Sequence, residues 1–151
     1  MSRHESPVPH FFGQLVRELH KLSPSIAPLD FDANEARPTI LSQFAQDELE
    51  QRMARTRHFP EEYFGEPVWD MLLYLYVAHV AGEPVRTKCL AITASLPLTT
   101  ALRCITFLEK EGLVVRHKAT EDNRVTLVSL SEVGIWKVES CLECRATGLL
   151  P

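Results

Sequence analysis

Residues Arg86 to Leu130 read RTKCLAITASLPLTTALRCITFLEKEGLVVRHKATEDNRVTLVSL. The order of apolar and turn-forming residues predicts a short helix, a tight turn, a second helix, and then two short β-strands around a charged loop. The strands are Val114–Lys118 and Val125–Leu130, and the loop between them is Ala119–Arg124. This succession is the layout of a winged helix-turn-helix, a mainly α fold with a small β-hairpin.

Turn-forming and helix-ending residues set the helix boundaries in this region. The first helix is predicted from Thr87 to about Ala94, and Ser95-Leu96-Pro97 makes the turn, since proline is tolerated at a helix start. The second helix runs from about Leu98 to Glu111, and Gly112 ends it. Upstream, Val68–Ala81 is the predicted central helix of a three-helix core. Its apolar stripe comprises Trp69, Leu72, Leu73, Tyr76, Val77 and Val80.

The second helix of the pair has two distinct faces. Helical spacing places Ala101, Ile105 and Leu108 on one side, where we expect them to pack against the central helix. The other side carries Thr99, Thr100 and Arg103, side chains that suit both base edges and phosphates. The pattern therefore predicts a recognition helix for the DNA major groove. The alternative interpretation is an ordinary solvent-exposed helix face.

In the hairpin, a turn at residues 121–123 brings Arg124 near the tip, where an arginine suits a narrow, electronegative minor groove. Asp122 is expected to accept a hydrogen bond from Arg124 or from turn amides and so to fix the shape of the loop. Arg116, His117 and Lys118 on the preceding strand are the expected phosphate neighbours. The alternative is a merely solvated hairpin tip.

Charge is unevenly distributed along the chain. The whole sequence of 151 residues has a net charge of −4, 45% hydrophobic residues and 24% charged residues. Residues 1–66 carry seven Lys/Arg against eleven Asp/Glu, whereas residues 82–130 carry seven against five. Because DNA affinity follows local phosphate contacts, the positive balance of residues 82–130 is compatible with a nucleic-acid partner.

Two helices are predicted before the central one. Residues 8–22 form an amphipathic pattern, Pro24, Pro28 and Pro38 mark a polar linker, and a second helix runs from about Thr39 to Arg57. The basic end of this second helix, residues 52–58, suits the negative end of the helix dipole. The alternative interpretation is that these basic residues lie near DNA. We therefore divide the chain into an N-terminal helical extension with linker over 1–66, a winged helix-turn-helix over 67–130, and a short C-terminal helix and tail over 131–151. The extension is the expected dimerisation region.

Large apolar side chains also mark the junction between this extension and the central helix. They are expected to belong to the core, and a ligand pocket is the alternative reading. The residues concerned are Phe44, Met53, Phe59, Tyr63 and Trp69.

The sequence shows no catalytic constellation. It has no nucleophile–base pattern, no glycine-rich phosphate loop and no HExxH motif, so we expect no enzyme, no cofactor and no metal. Cys141 and Cys144 have CxxC spacing but no second pair, which favours two thiols on one helix face over a redox or zinc site. We expect a cytoplasmic protein, because no apolar run approaches the length of a membrane span and the N-terminus lacks a signal-peptide pattern.

A family resemblance rests on two motifs. Leu108-Glu-Lys-Glu-Gly-Leu-Val-Val-Arg116 and Asp122-Asn-Arg-Val-Thr-Leu-Val-Ser-Leu-Ser-Glu-Val-Gly134 resemble the helix end, the Asp-x-Arg wing and the Leu-Ser-Glu-x-Gly helix start of MarR-type winged-helix regulators. The likeness covers roughly residues 67–140. It departs from the family at Phe107, where a basic residue often stands.

The resemblance implies a function as well as a fold. It implies a sequence-specific transcriptional regulator that binds double-stranded DNA as a homodimer and responds to a small-molecule effector. Thr99, Thr100 and Arg103 would then face bases and phosphates, and Arg124, supported by Asp122, would act from the wing. Two alternatives remain: a winged-helix module that binds a protein instead of DNA, and a regulator that senses thiol oxidation or metal through its CxxC pair.

Overall fold

The computed structural model describes residues 33–59 and 65–146, within which the chain forms five helices and three strands. The elements are α1 (Ala33–Thr56), α2 (Pro67–Ala81), β1 (Val85–Arg86), α3 (Thr87–Thr93), α4 (Leu98–Lys110), β2 (Val114–Lys118), β3 (Thr126–Leu130) and α5 (Glu132–Ala146). The winged helix-turn-helix expected from the sequence is confirmed. The helix predicted over residues 8–22 lies outside the described residues.

The central helix α2 is buried on more sides than its sequence stripe indicates. Leu73 and Tyr76 of the predicted stripe are fully buried, but so is Met71, and Leu75 is nearly so. A helix that is apolar almost all round belongs in the middle of a fold, where α1, the hairpin and α5 cover its different faces. No single helix within the described residues is both long and apolar enough to cross a membrane.

Helix α1 corrects the predicted linker. It begins at Ala33, six residues before the predicted start at Thr39, so Pro38 lies inside the helix. Proline in a helix removes one backbone hydrogen bond. The extra turn nevertheless forms because it packs against α5, where Arg37 pairs with two glutamates. Tertiary contacts thus override the local signal of the proline.

The helix-turn-helix consists of α3 and α4. The chain bends by 106° between these helices across residues 94–97, within the range typical of the motif. Ser95 adopts a left-handed φ of 52° in the turn, and the Leu96 amide donates to the Ala91 carbonyl oxygen at 2.9 Å. This is the Schellman arrangement that ends many helices, with serine at the position that glycine usually occupies.

The sheet is antiparallel in the order β1-β3-β2. Strands β2 and β3 form the predicted hairpin, with Val114 opposite Leu130 and Lys118 opposite Thr126. Strand β1 has only two residues and was not predicted, because a two-residue strand leaves no periodic pattern. It places Val85 opposite Val128 and so joins the start of the helix-turn-helix to the wing.

A close backbone contact fixes the start of α5. The Ser131 side chain donates to the Gly112 carbonyl oxygen at 2.6 Å, and its oxygen accepts a hydrogen bond from the Gly134 amide at 3.0 Å. A Cβ atom at Gly134 would overlap the carbonyl oxygen of Leu113. Only glycine therefore allows α5 to begin directly against the turn that follows α4.

Candidate nucleic-acid interface

Helix α4 presents the predicted polar face to solvent. Thr99, Thr100 and Arg103 are all exposed, whereas Ala101 and Ile105 on the opposite side are fully buried. Leu108 is also buried, so the core side predicted for this helix is confirmed. The fold thus leaves the side chains expected to face DNA on the accessible side of the second helix of the motif.

The charges of α4 also suit an anionic partner. The helix has no acidic residue in its first turn, and Arg103 is the only charged residue between its start and Glu109. The amides at the N-terminus of a helix carry partial positive charge. This end of α4 therefore combines hydroxyl groups, one guanidinium group and the positive end of the helix dipole.

In the wing, Asp122 holds the loop together. Its side-chain oxygen accepts a hydrogen bond from the backbone amide of Arg124 at 2.9 Å, and its backbone oxygen accepts one from the Val125 amide at 3.0 Å. The loop closes where the Ala119 amide donates to the Val125 carbonyl oxygen at 3.0 Å. The expectation that Asp122 fixes the loop through turn amides is confirmed, and Arg124 is exposed near the tip.

Two of the three expected phosphate neighbours on strand β2, Arg116 and Lys118, differ in their surroundings. Arg116 is half-buried and donates its Nε to Oε2 of Glu109 at 2.9 Å, while its Nη2 contacts the same oxygen. These hydrogen bonds lower the pKa of Glu109. Lys118 is exposed, and its Nζ donates to the Thr126 hydroxyl at 3.1 Å. Of the two, Arg116 already has an anionic partner within the protein, which the sequence alone did not reveal.

Three apolar residues of α4 are exposed as well. Leu98 is 49% exposed, Leu102 39% and Phe107 56%. Helical spacing indicates the exposure of Leu102 and Phe107, because neither lies on the buried side of α4. The predicted site contains only polar and charged residues, so Leu102 and Phe107 are not among its candidates.

Away from α4, the apolar cluster at the end of α1 differs from the prediction. Phe44, Met53 and Phe59 are all exposed, so assigning them to the core was wrong. Trp69 is partly buried, and its indole nitrogen donates to Glu48 at 2.9 Å. Tyr63 lies outside the described residues.

A cleft of about 380 Å³ lies beside this end of α1. It is bounded by α1, the start of α2 and the turn of the helix-turn-helix, and Met53 and Ile92 both line it. Arg52 lines it and pairs with Glu66 at 2.9 Å and with Asp70. Burial raises the pKa of Asp70 despite this arginine. The first arginine of the basic helix end thus pairs with carboxylates of the protein itself.

The four cysteines lie within the described residues and are not joined in disulfides. Cys141 is partly buried on α5 and Cys144 is exposed. No group of three or more histidine, cysteine or acidic side chains in residues 33–59 and 65–146 is arranged to hold a metal ion.

The fold defines a winged-helix domain, and solved structures share it. No protein-family model and no curated protein matches the sequence. The crystal structure of the S. aureus MepR–DNA complex matches with a TM-score of 0.51 and 20% identity over 70% of this chain and 82% of that one. PcaV from Streptomyces coelicolor, solved with its natural ligand, matches with a TM-score of 0.45 and 19% identity over 66% of this chain and 70% of that one. AdcR from Streptococcus pyogenes matches with a TM-score of 0.46 and 15% identity over 69% of this chain and 72% of that one. The winged-helix fold expected from the resemblance is confirmed, since the MepR complex has the same fold.

Proposed function

We propose that this protein is a non-enzymatic, sequence-specific transcriptional regulator that inserts α4 into the major groove of DNA. The observation that carries the proposal is the exposed polar face of α4, with Arg103 as its only charge before Glu109. MepR supports DNA as the partner, because it shares the fold and was solved as a DNA complex.

Individual residues receive different roles in this proposal. Thr99, Thr100 and Arg103 contact base edges and phosphates, and Arg103 suits a bidentate pair with guanine. Arg124 enters the minor groove from a loop that Asp122 holds in shape. Lys118 is a phosphate contact, and Arg116 can become one only by sharing or leaving Glu109.

The test is a binding assay against genomic DNA fragments at several salt concentrations. We expect salt-sensitive binding that falls at least tenfold when Arg103→Ala and Arg124→Ala are combined, since each removes a cationic contact. The matched control is Lys137→Ala, which removes an exposed cation on α5. Unchanged binding by the double variant would refute the residue assignment.

The proposed regulator acts as a homodimer. Phe44 is 43% and Met53 59% exposed on α1, and Trp136 is 63% exposed on α5, so apolar surface is available to a second copy. Dimers of this kind match DNA sites with two-fold symmetry. Light scattering should give twice the chain mass, and Phe44→Ser should shift the protein toward the monomer.

The proposal also includes a pocket for a small-molecule effector. The cleft beside Met53 is of the size that small ligands occupy, and Ile92 to Leu96 of its lining belong to the helix-turn-helix. A ligand bound there would therefore contact the DNA-reading unit directly. Filling the cleft with Met53→Trp should abolish any response of DNA binding to a small molecule.

A protein partner is the second candidate function. Leu98, Leu102 and Phe107 make α4 more apolar on its exposed side than a phosphate-binding surface requires. Recovery of one stoichiometric protein partner, together with no DNA binding at low salt, would favour this function over the first.

A further inference from the structure

Two exposed leucines form an apolar strip along the beginning of α4. Leu98 is 49% exposed and Leu102 39%, and residues four apart in a helix lie one above the other on the same side. Their neighbours in sequence, Thr99 and Arg103, form the polar strip beside them. Neither leucine belongs to the buried core, so the fold does not account for their apolar character.

The leucine strip lies on the side of α4 that faces the wing. Glu109 follows Leu102 by seven residues, two helical turns, and therefore projects from nearly the same side. Its carboxylate binds Arg116 of β2. Phe107, the third exposed apolar residue, lies on the other side of the helix, about 140° away at 100° per residue.

The surroundings of the strip favour a nucleic-acid partner over an apolar protein. Arg103 lies beside it, and no acidic residue occurs in α4 before Glu109. In the major groove of DNA, the apolar group that a leucine can contact is the C5 methyl of thymine.

We propose that Leu98 and Leu102 read thymine methyl groups in the major groove, on the wing side of the bases contacted by Thr99 and Arg103. This inference rests on the proposed function, because it requires α4 to enter the groove. It adds a sequence-specific element to the site, because the bound sequence contains thymines whose methyl groups contribute affinity. Phosphate contacts alone carry no sequence information.

The experiment first selects bound duplexes from genomic DNA and then replaces each thymine singly with deoxyuridine. This base keeps every hydrogen-bonding group of thymine and lacks only the methyl. We expect an affinity loss of about fourfold at one or two positions, the value that corresponds to burying one methyl-sized group. The same duplexes are then measured with Leu98→Ala and Leu102→Ala.

Each leucine variant should bind the thymine and uracil duplexes equally at one of the sensitive positions. The matched control is Phe107→Ala, which removes an exposed apolar side chain from the other side of the same helix and should preserve the fourfold discrimination. Tight binding without any thymine–uracil difference would overturn this inference and leave the proposed function standing. Discrimination that survives in both leucine variants would overturn the residue assignment, and absence of any DNA binding would overturn both proposals.

Discussion

The guanidinium group of Arg116 on β2 is bound to the carboxylate of Glu109 near the end of α4. This pair joins the wing to the second helix of the helix-turn-helix, and it partly neutralises a cation expected to face phosphates. DNA and Glu109 would therefore compete for the same guanidinium group.

Removing the competitor should strengthen DNA binding. In Glu109→Gln the acceptor loses its charge, so Arg116 becomes available to a phosphate, and we expect an affinity gain of about three- to tenfold. The dependence of log K on log salt should steepen by about one per subunit. Glu111→Gln is the control, since this acidic residue is exposed and lies one position beyond α4. Equal gains in both variants would mean that Arg116 makes no phosphate contact.

Loss of Arg37 should destabilise the packing of α1 on α5. Arg37 contacts Glu139 at 3.0 Å and also binds Glu143, while the Tyr76 hydroxyl donates to Glu139 at 2.9 Å. Arg37→Met removes the cation that contacts two largely buried carboxylates, which should cost about 3 kcal/mol of unfolding free energy. Urea denaturation measures it, and Arg37→Lys should lose less because it keeps the charge.

The same cluster should make stability depend on pH. Burial raises the pKa of Glu143 above its usual value near 4.5. Between that value and the raised pKa the folded state binds more protons than the unfolded state, so stability should fall as pH rises through this window. Glu143→Gln should remove the contribution of Glu143 to that slope, while the contribution of Asp70, whose pKa burial also raises, should stay. Arg37→Met should raise the pKa of Glu143 further and so cost less stability near pH ~5 than near pH ~8; the reverse order would contradict this account.

Alanine substitutions at Gly112, just after α4, and at Gly134, in α5, should cost different amounts of stability. Gly134→Ala would drive a methyl group into the Leu113 carbonyl oxygen and should cost about 3 kcal/mol. Gly112 has open space around it but a φ of +72°, so Gly112→Ala should cost only about 1 kcal/mol of backbone strain. Thermal unfolding of both variants measures the difference, and equal losses would argue against the close approach of α5.

The hydrogen bond within the wing should matter for DNA binding only through Arg124. Asp122→Ala removes the acceptor for the Arg124 amide and should weaken DNA binding about fivefold, in proportion to a hydrogen bond of about 1 kcal/mol. Asp122→Asn keeps an acceptor oxygen and should bind nearly normally. In an Arg124→Ala background, Asp122→Ala should have no further effect. An additional loss there would assign Asp122 a separate contact.

Local signals predicted most of the fold. Helix α4 and strand β2 lie where the periodic apolar residues and Gly112 place them, and the start of α5 follows Ser131 as expected. The errors arose where distant contacts decide the outcome. Pro38 is inside a helix because the turn around it packs against α5, and no local pattern records that contact.

The candidate site was predictable in its polar residues but not in their partners. The exposure of Thr99 and Arg103 follows from helical spacing, and the role of Asp122 follows from turn chemistry. The pairing of Arg116 with Glu109 depends on how β2 crosses α4, which is a property of the assembled fold.

The two residues of β1 have a consequence for the DNA that the proposed regulator would select. Val85 and Arg86 pair with Val128 and Leu127 of the wing, and α3 begins at the next residue. Helix-turn-helix and wing are therefore parts of one hydrogen-bonded frame, so in the proposed complex the protein fixes the distance between the major-groove contact of α4 and the minor-groove contact of Arg124. DNA whose groove width or bendability does not match that distance would have to deform, and the proposed regulator would then select for base pairs that no side chain touches.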